Sequence, residues 1–490
     1  MAKNITIIGS GLGGIATALR FASLGTKVTI LEKNNSIGGR LNQLKIDDFT
    51  FDTGPSFMSM TYEMDELFNS IKVPNPLKMI ELDPLYSVFF EKEKNPRQIY
   101  KDLFKLQKEF LNEPDLAKKL EKYLLRAGSF FHDTEEPVIK SNFDSLFQYI
   151  IALAKVPKRH LPYLFRSMWS EVDRRFDSDE IKIVLSLVAF FLGATPFDTP
   201  SIYSLLNYTE MKYNGYWAVE GGMYRIVEEM HKLLLQMNVQ IEYNTEIVDY
   251  KNNGGKLNFI DQNGKVWDAD IFIVNSDAAW FRGKVMQRNK FTDKKLNKLH
   301  WTLAPFTMYL GVKGKIPNLN YHNYFLGSNF KGYADKIFTS SIIPQKPYYY
   351  VNSLSKYVES SAPEGHENLF VLCPVPDLRY KSNWDDKEEI ADNIILDLSK
   401  RVDFDIANNL VVRRVYSPID WRDEFSLYQG SGLGLAHDIL QVGAFRPKNK
   451  DEEFDNLYYV GASTTPGTGL PMVVISSKLV FDRIIQEKKI

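Results

Sequence analysis

The hydrophobic pattern is most regular at the two ends of the chain. Lys3–Ile8 (KNITII) is a short β-branched run that predicts a buried strand, and Lys27–Leu31 (KVTIL) predicts a second. Between them Ile15, Leu19 and Ala22 share one helical stripe, which Gly25 closes. At the far end Asn456–Val460 (NLYYV) reads as a strand. From Met472 to Glu487 the stripe Val473, Ser477, Val480, Ile484, Ile485 predicts a helix. Midway, Val239–Tyr250 and Gly255–Asn275 read as strands punctuated by Asn253-Gly254 and Asn263-Gly264, with Ile271–Val274 returning to the central sheet. Pro114–Phe131 and Lys387–Arg401 predict helices, Tyr348–Asn352 and Asn368–Pro374 strands. The most apolar internal run, Leu185–Gly193, is far shorter than the roughly 20 residues of a spanning helix.

The punctuation between these elements carries the chemistry. After the first strand comes Gly9-Ser10-Gly11-Leu12-Gly13-Gly14, a G-x-G-x-x-G loop, and the second strand ends on an acid, Glu32, at the spacing of about 20 residues that a ribose contact uses. Gly9 permits the tight turn, Gly11 lets backbone approach a pyrophosphate, and Gly14 lets helix and strand pack closely. The helix N-terminus at Leu12 offers free N–H groups to that anion. Such a stretch at a chain start also faintly imitates a signal peptide, but the glycine spacing explains it better. Beyond Glu32 and Lys33, Gly38-Gly39-Arg40 joins exposed backbone to a guanidinium suited to phosphate oxygens. Phe49–Pro55 (FTFDTGP) alternates and then turns at Gly54-Pro55-Ser56, leaving backbone where a flat ring can lie. A plain NAD fold does not need these additions, which favour FAD. The C-terminal strand runs into a second glycine-rich turn, Gly461 to Gly469, followed by Leu470, Pro471 and Met472 at a helix start. A helix N-terminus there would stabilise negative charge on a reduced flavin.

Composition narrows the rest. In 490 residues the net charge is −1, which lacks the basic footprint of a nucleic-acid binder. The single cysteine, Cys373, excludes a disulfide scaffold and zinc-finger spacing. The seven histidines are scattered, and no HExxH or paired ligand spacing occurs, so no metal is expected. Aromatic content is 13%, with 26 Tyr, 32 Phe and 7 Trp, a large stock of flat apolar surface.

On KNNSIGGR…FTFDTGP near the start and NLYYVGASTTPGTGLPM near the end, the chain resembles the FAD-dependent, phytoene-desaturase-type (bacterial) carotenoid desaturases. Thr195–Tyr203 (TPFDTPSIY), Trp217–Met223 (WAVEGGM), Phe370–Asp377 (FVLCPVPD), Tyr416–Glu424 (YSPIDWRDE), Tyr428–Gly430 (YQG) and Phe445–Lys448 (FRPK) follow in collinear order. The resemblance implies an α/β fold: a Rossmann-like FAD-binding domain of glutathione-reductase-like, amine-oxidase-type arrangement, with a discontinuous mixed α+β substrate domain. Residues 1–75, 215–290 and 440–490 would form the FAD-binding domain, and 76–214 and 291–439 the substrate-binding, membrane-facing domain. It implies cofactor contacts at Gly9, Gly11, Leu12, Gly14, Glu32, Lys33, Gly39, Arg40, Gly54, Pro55 and Ser56, and at Gly461, Gly469, Leu470 and Met472. Val248 would touch the adenine end through its backbone. The family commonly has G-A-G-T-H-P-G-A-G-[IV]-P-G where this chain carries Ser463, Thr465 and Met472, so the reactive pocket is expected to be reshaped.

The implied activity is desaturation of a carotene or hydroxycarotenoid by hydride transfer to flavin N5. Phytoene, dehydrosqualene or the 3,4 position of a hydroxylated or monocyclic carotene are the candidate targets. A carotenoid cis–trans isomerase and a terminal carotene oxygenase are the enzymatic alternatives; a redox sensor or carotenoid carrier is the non-enzymatic one. Oxygen or a quinone would take the electrons. Loss of hydride from an allylic carbon makes the neighbouring proton acidic, but no acceptor for it is named by the sequence. Glu220, Asp420 and Arg422 lie in motif segments and read as structural charges. A lipophilic polyene substrate implies a cytoplasmic protein peripherally associated with a membrane surface. Lys155–Phe176, which mixes cations with Leu, Tyr, Phe and Trp, is the expected interfacial segment.

Overall fold

The computed structural model describes residues 4–488, so Lys3 of the opening strand and the ends of the outermost segments lie outside the described residues. Two sheets organise the chain. The first is wholly parallel, in the order Leu457–Tyr459, Ile271–Val274, Asn4–Ile8, Lys27–Leu31, Gln240–Glu242. Parallel strands covered on both faces need near-continuous apolar runs, and NITII, KVTIL and IFIV supply them. On one face lie α1 (Leu12–Ala22), buried along its whole length, and the carboxy-terminal helix Leu470–Lys488. Ile5, Ile7, Ile30 and Ile273 close that core.

The second sheet has seven strands, in the order Leu410–Tyr416, Ala304–Lys313, His366–Val375, Tyr349–Asn352, His322–Leu326, Tyr86–Phe90, Arg97–Ile99. Its pairs are antiparallel except His322–Leu326 with Tyr86–Phe90. Alternation along His366–Val375 splits its side chains between two cores. Val371, Cys373 and Val375 pack towards the helix Lys387–Val402, whereas Phe370 and Leu372 join the opposite core. Burial pushes the Cys373 thiol well above its ordinary range, and it is a packing residue.

Two expected segments differ. Val239–Tyr250 is not one strand: Gln240–Glu242 belongs to the parallel sheet, and Ile247–Asn253 starts a three-stranded antiparallel sheet with Lys256–Asp261 and Val266–Trp267. Asn244 adopts φ +51° between them and Thr245 N–H donates to the Glu32 carbonyl, which turns the chain out of the first sheet. Lys155–Phe176, expected as an interfacial segment, is not one continuous helix. Pro157 and Pro162 divide it into short turns, and Met168, Val172 and Phe176 are buried. Leu161 and Phe165 within the segment are exposed, and further exposed apolar side chains sit upstream, on the helix Leu146–Lys155. Among the described residues no helix is long and apolar enough to cross a membrane.

Candidate functional site

A cavity of about 610 Å3 opens at the carboxyl ends of the parallel strands and continues against the second sheet. Gly9, Glu32, Asn275 and Val460, each just beyond a strand end, line it, which is where open α/β sheets bind ligands. Of the residues expected at a cofactor, Gly9, Gly11, Leu12, Glu32, Lys33, Gly39, Arg40, Gly54, Pro55, Ser56, Gly469, Leu470 and Met472 all face this one space. Gly14, Val248 and Gly461 do not. Gly14 acts inside the fold, since a Cβ there would run into the Gly9 carbonyl oxygen. The Val248 side chain is exposed at an irregularity in its strand, and Glu246 and Ile247 line the cavity instead. Gly461 lies between the lining residues Val460 and Ala462, and its N–H donates to Ser476 Oγ at 3.1 Å.

Whether a dinucleotide fits is decided at the start of α1. Its N-cap is Gly11, with no side-chain cap and no acid in the first turn, so the first N–H groups are left for an anion at the cavity wall. Glu32 holds the loop in place: Oε2 accepts from Ser10 N–H (2.8 Å) and Ser10 Oγ (2.6 Å), and Oε1 from Asn34 N–H (2.9 Å). Arg40 donates through Nη1 to the Gly432 carbonyl at 2.9 Å. Burial lowers its pKa, and nearby Asp277 opposes that fall. The Lys33 ammonium donates to Ser426 Oγ at 2.8 Å, so it ties the glycine-loop side to the segment after Pro418–Phe425. Burial lowers its pKa against four surrounding carboxylates. These residues fit the phosphates and ribose of FAD.

The carboxy-terminal turn supplies the second helix N-terminus, again without an acid in its first turn. Arg446, from the FRPK segment, threads this turn: Nε donates to Thr464 O (3.1 Å) and Nη2 to Ala462 O (2.8 Å). Burial brings its pKa down to about 10, so it stays charged at neutrality. Where the family pattern has histidine, this chain has Thr465, yet a histidine still meets the turn. His437 Nε2 accepts from Thr468 N–H at 3.3 Å, and burial holds its pKa down at about 3. Ser463 Oγ donates to Asp277 Oδ2 at 3.3 Å.

The other motifs have local explanations. Asp52 accepts from Met223 N–H (2.7 Å) and Tyr224 N–H (3.0 Å), which joins FTFDTGP to WAVEGGM; burial lifts its carboxyl to about 6. Asp420 forms a capping box with Ser417. Arg422 pairs with Asp423, and Glu220 with Lys78 at 3.5 Å, both at the surface. Sequence reasoning missed Asn275, Asp277, Thr302–Pro305 and Gly432–Leu433, which line the cofactor side from loops distant in the chain.

Away from the glycine loops the walls change character. They are built from Leu187, Val188, Phe190, Leu192, Leu206, Tyr324, Leu326, Tyr333, Ile337, Tyr348, Tyr350, Phe370 and Leu372, with Phe57 at the junction. The charged lining residues Glu32, Lys33, Arg40, Glu246 and Asp277 all belong to the glycine-loop side. The far part is therefore a dry, aromatic slot.

The flavin containing amine oxidoreductase profile matches residues 12–485. A zeta-carotene-forming phytoene desaturase of Myxococcus xanthus is 31% identical over 99% of this chain and 94% of its own length. A phytoene desaturase of Phycomyces blakesleeanus is 30% identical over 98% and 85%. Among solved structures, wild-type putrescine oxidase bound to putrescine superposes with a TM-score of 0.65 over 99% of this chain and 100% of that one. At 12% identity, that likeness is one of fold.

Proposed function

Because the chain belongs to the flavin containing amine oxidoreductase family, we propose that it is an FAD-dependent carotenoid desaturase. The observation that carries this reading is the single cavity. Its charged lining is confined to the dinucleotide side, and it continues as an aromatic slot without a charged side chain. An extended polyene needs flat apolar walls. When bound, FAD supplies the oxidant that takes the hydride. Gly11, Leu12 and Arg40 would hold its phosphates, Gly54-Pro55-Ser56 and Leu470–Met472 line the same cavity, and the tyrosine and leucine walls would exclude water. Oxygen or a quinone regenerates the oxidant, and the enzyme draws its substrate from a membrane surface.

The test incubates the purified flavoprotein with a panel of carotenes in liposomes and weighs the products. Loss of two hydrogens per event identifies desaturation, unchanged mass isomerisation, and added oxygen a terminal oxygenase. A flavin that no carotene reduces in the absence of air would sink the desaturase reading.

A further inference from the structure

Tyrosines crowd the second sheet, and several of their hydroxyls hold the fold together. Tyr348 Oη donates to the Gly327 carbonyl at 3.1 Å, Tyr349 Oη to Asp397 at 2.8 Å and Tyr309 Oη to the Thr53 carbonyl at 3.0 Å. Tyr324 and Tyr350 are placed differently. They lie opposite each other on the antiparallel pair His322–Leu326 and Tyr349–Asn352, so both side chains rise from one face. Both line the slot, with ring centroids 5.5 Å apart. Both also pack on Phe57, at the junction with the cofactor side, at 6.0 and 5.1 Å. Tyr324 Oη has no hydrogen-bond partner among the described residues. Tyr350 Oη meets His322 Nδ1 at 2.6 Å. Ser56 and Asn352 stand near it but hydrogen-bond elsewhere, Ser56 Oγ to Gly54 O at 3.4 Å and Asn352 Nδ2 to Tyr321 O at 2.9 Å.

The histidine fixes what Tyr350 can offer. His322 is fully buried, stacked on Phe57 at 4.0 Å and flanked by Tyr321 and Tyr216 at 4.6 and 6.2 Å. Its Nε2 has no hydrogen-bond partner. Burial holds its pKa down at about 3, so the imidazole is neutral and carries one hydrogen. On Nε2 that hydrogen would be a buried donor among aromatic rings, with no acceptor. On Nδ1 it donates to Tyr350 Oη, and the unpartnered Nε2 is only a lone pair, the smaller loss. Tyr350 then keeps its own hydrogen for the cavity it lines. A hydrocarbon answers neither this hydroxyl nor that of Tyr324. Phenylalanine at both positions would pack the same wall without leaving polar groups unmet.

We propose that Tyr350 and Tyr324 form an alcohol-binding site in the slot, and that the substrate is a polyene with a hydroxyl at one end. This rests on the desaturase reading and narrows its substrate class. The Tyr350 O–H donates to the substrate oxygen, and Tyr324 Oη accepts the alcohol's hydrogen. A carbonyl oxygen would answer Tyr350 but offer Tyr324 nothing to accept, so an alcohol suits the pair better. The site sits at Phe57, where the slot meets the cofactor side, so the hydroxylated end is the one held towards the flavin. Tyr350 and Tyr324 touch the substrate and set specificity. His322 is a positioning residue that acts through Tyr350.

The experiment presents the flavin holoenzyme, without air, with phytoene or lycopene in liposomes and with the same carotenes hydrated at one terminal double bond. Flavin bleaching is followed against carotene concentration. The hydrated carotene is expected to half-saturate at a concentration at least about tenfold below that of its hydrocarbon parent. Tyr350→Phe and Tyr324→Phe should each narrow that gap, and the double variant should close it. His322→Phe keeps a ring on Phe57 and should narrow the gap too. His322→Asn, whose amide N–H can take the place of Nδ1–H, should preserve it, an outcome that a purely structural histidine does not produce. Equal half-saturation in the wild type overturns the proposal and leaves the desaturase reading standing, as does a double variant that keeps the wild-type gap. If a Tyr350 variant fails to hold FAD, Tyr324→Phe and the wild-type gap decide. A wild type that no carotene bleaches, hydrated or not, removes the desaturase reading and this assignment with it.

Discussion

Gly11 and Gly14 sit three residues apart in one loop, yet they are glycines for different reasons. Gly14 abuts the Gly9 carbonyl, so any side chain there disrupts the packing of α1 on its strand. Gly11 has an ordinary backbone, φ −67°, and a Cβ would meet only the tip of Asn275, at 2.8 Å from Nδ2. Its constraint comes from the cavity it faces. Gly11→Val is therefore expected to give a protein that melts cooperatively but is colourless, because the branched side chain occupies the path of the pyrophosphate. A normally yellow Gly11→Val would overturn the placement of FAD here. Glu32→Ala should keep flavin less well, by about 1.5–3 kcal/mol for a hydrogen bond to a charged group, measured by titrating FAD into the apoprotein. Both residues were legible because a dinucleotide loop is local and its spacing is fixed by one strand, one turn and one helix. Asn275 was not, since its amide meets Gly9 O (3.4 Å) across 266 positions, which no periodicity records.

Elements were legible where one environment persisted along their whole length. The helices Leu116–Thr134 and Lys387–Val402 and the strands Tyr349–Asn352 and His366–Val375 keep one face in one core, and their periods announced them. Val239–Tyr250 misled because its apolar run serves two sheets in succession, and the positive-φ Asn244 between them leaves little trace in hydropathy. The carboxy-terminal turn was legible as a glycine-rich string, but what shapes it is Arg446. Besides Thr464 and Ala462, its guanidinium reaches the Leu435 and Gln441 carbonyls, each at 3.5 Å. A lysine offers one compact ammonium in place of this fork and leaves buried carbonyls without donors. Arg446→Lys should thus cost about 1–3 kcal/mol per orphaned group and shed FAD faster, read by thermal melting and flavin release. The surface pair Arg422–Asp423 supplies the contrast: Arg422→Ala should change neither measurement appreciably.

For the whole molecule, the aromatic surplus and the near-zero charge meet on one surface. Many aromatic residues are ordinary core, such as Phe259 and Phe272, but a distinct group walls the slot. On the proposal that the polyene enters that slot from lipid, a net charge of −1 gives no long-range attraction to an anionic bilayer. Attachment then has to come from apolar contact. The exposed side chains of Leu146–Lys155, with Phe147 at 71% exposure, lie beside the turn Gly443–Phe445, against which Tyr149 packs. Phe165, 88% exposed, and Leu440, 71% exposed, lie in short turns of the chain. Leu433 both lines the cavity and reaches the surface, which places an apolar rim shortly before Ile439 and Leu440. Burying one large apolar side chain is worth about 1.5–3 kcal/mol. Phe147→Ser with Phe165→Ser should therefore lower sedimentation with neutral liposomes by at least about tenfold, with FAD content and melting temperature unchanged. Trp169→Ser, in the same Lys155–Phe176 segment as Phe165, should behave oppositely, because Trp169 packs on Phe197 and Phe330 at 5.0 and 5.6 Å. It should destabilise the fold and leave sedimentation of the surviving protein intact. Unaltered sedimentation of the double phenylalanine variant would move the membrane contact to another face of the molecule.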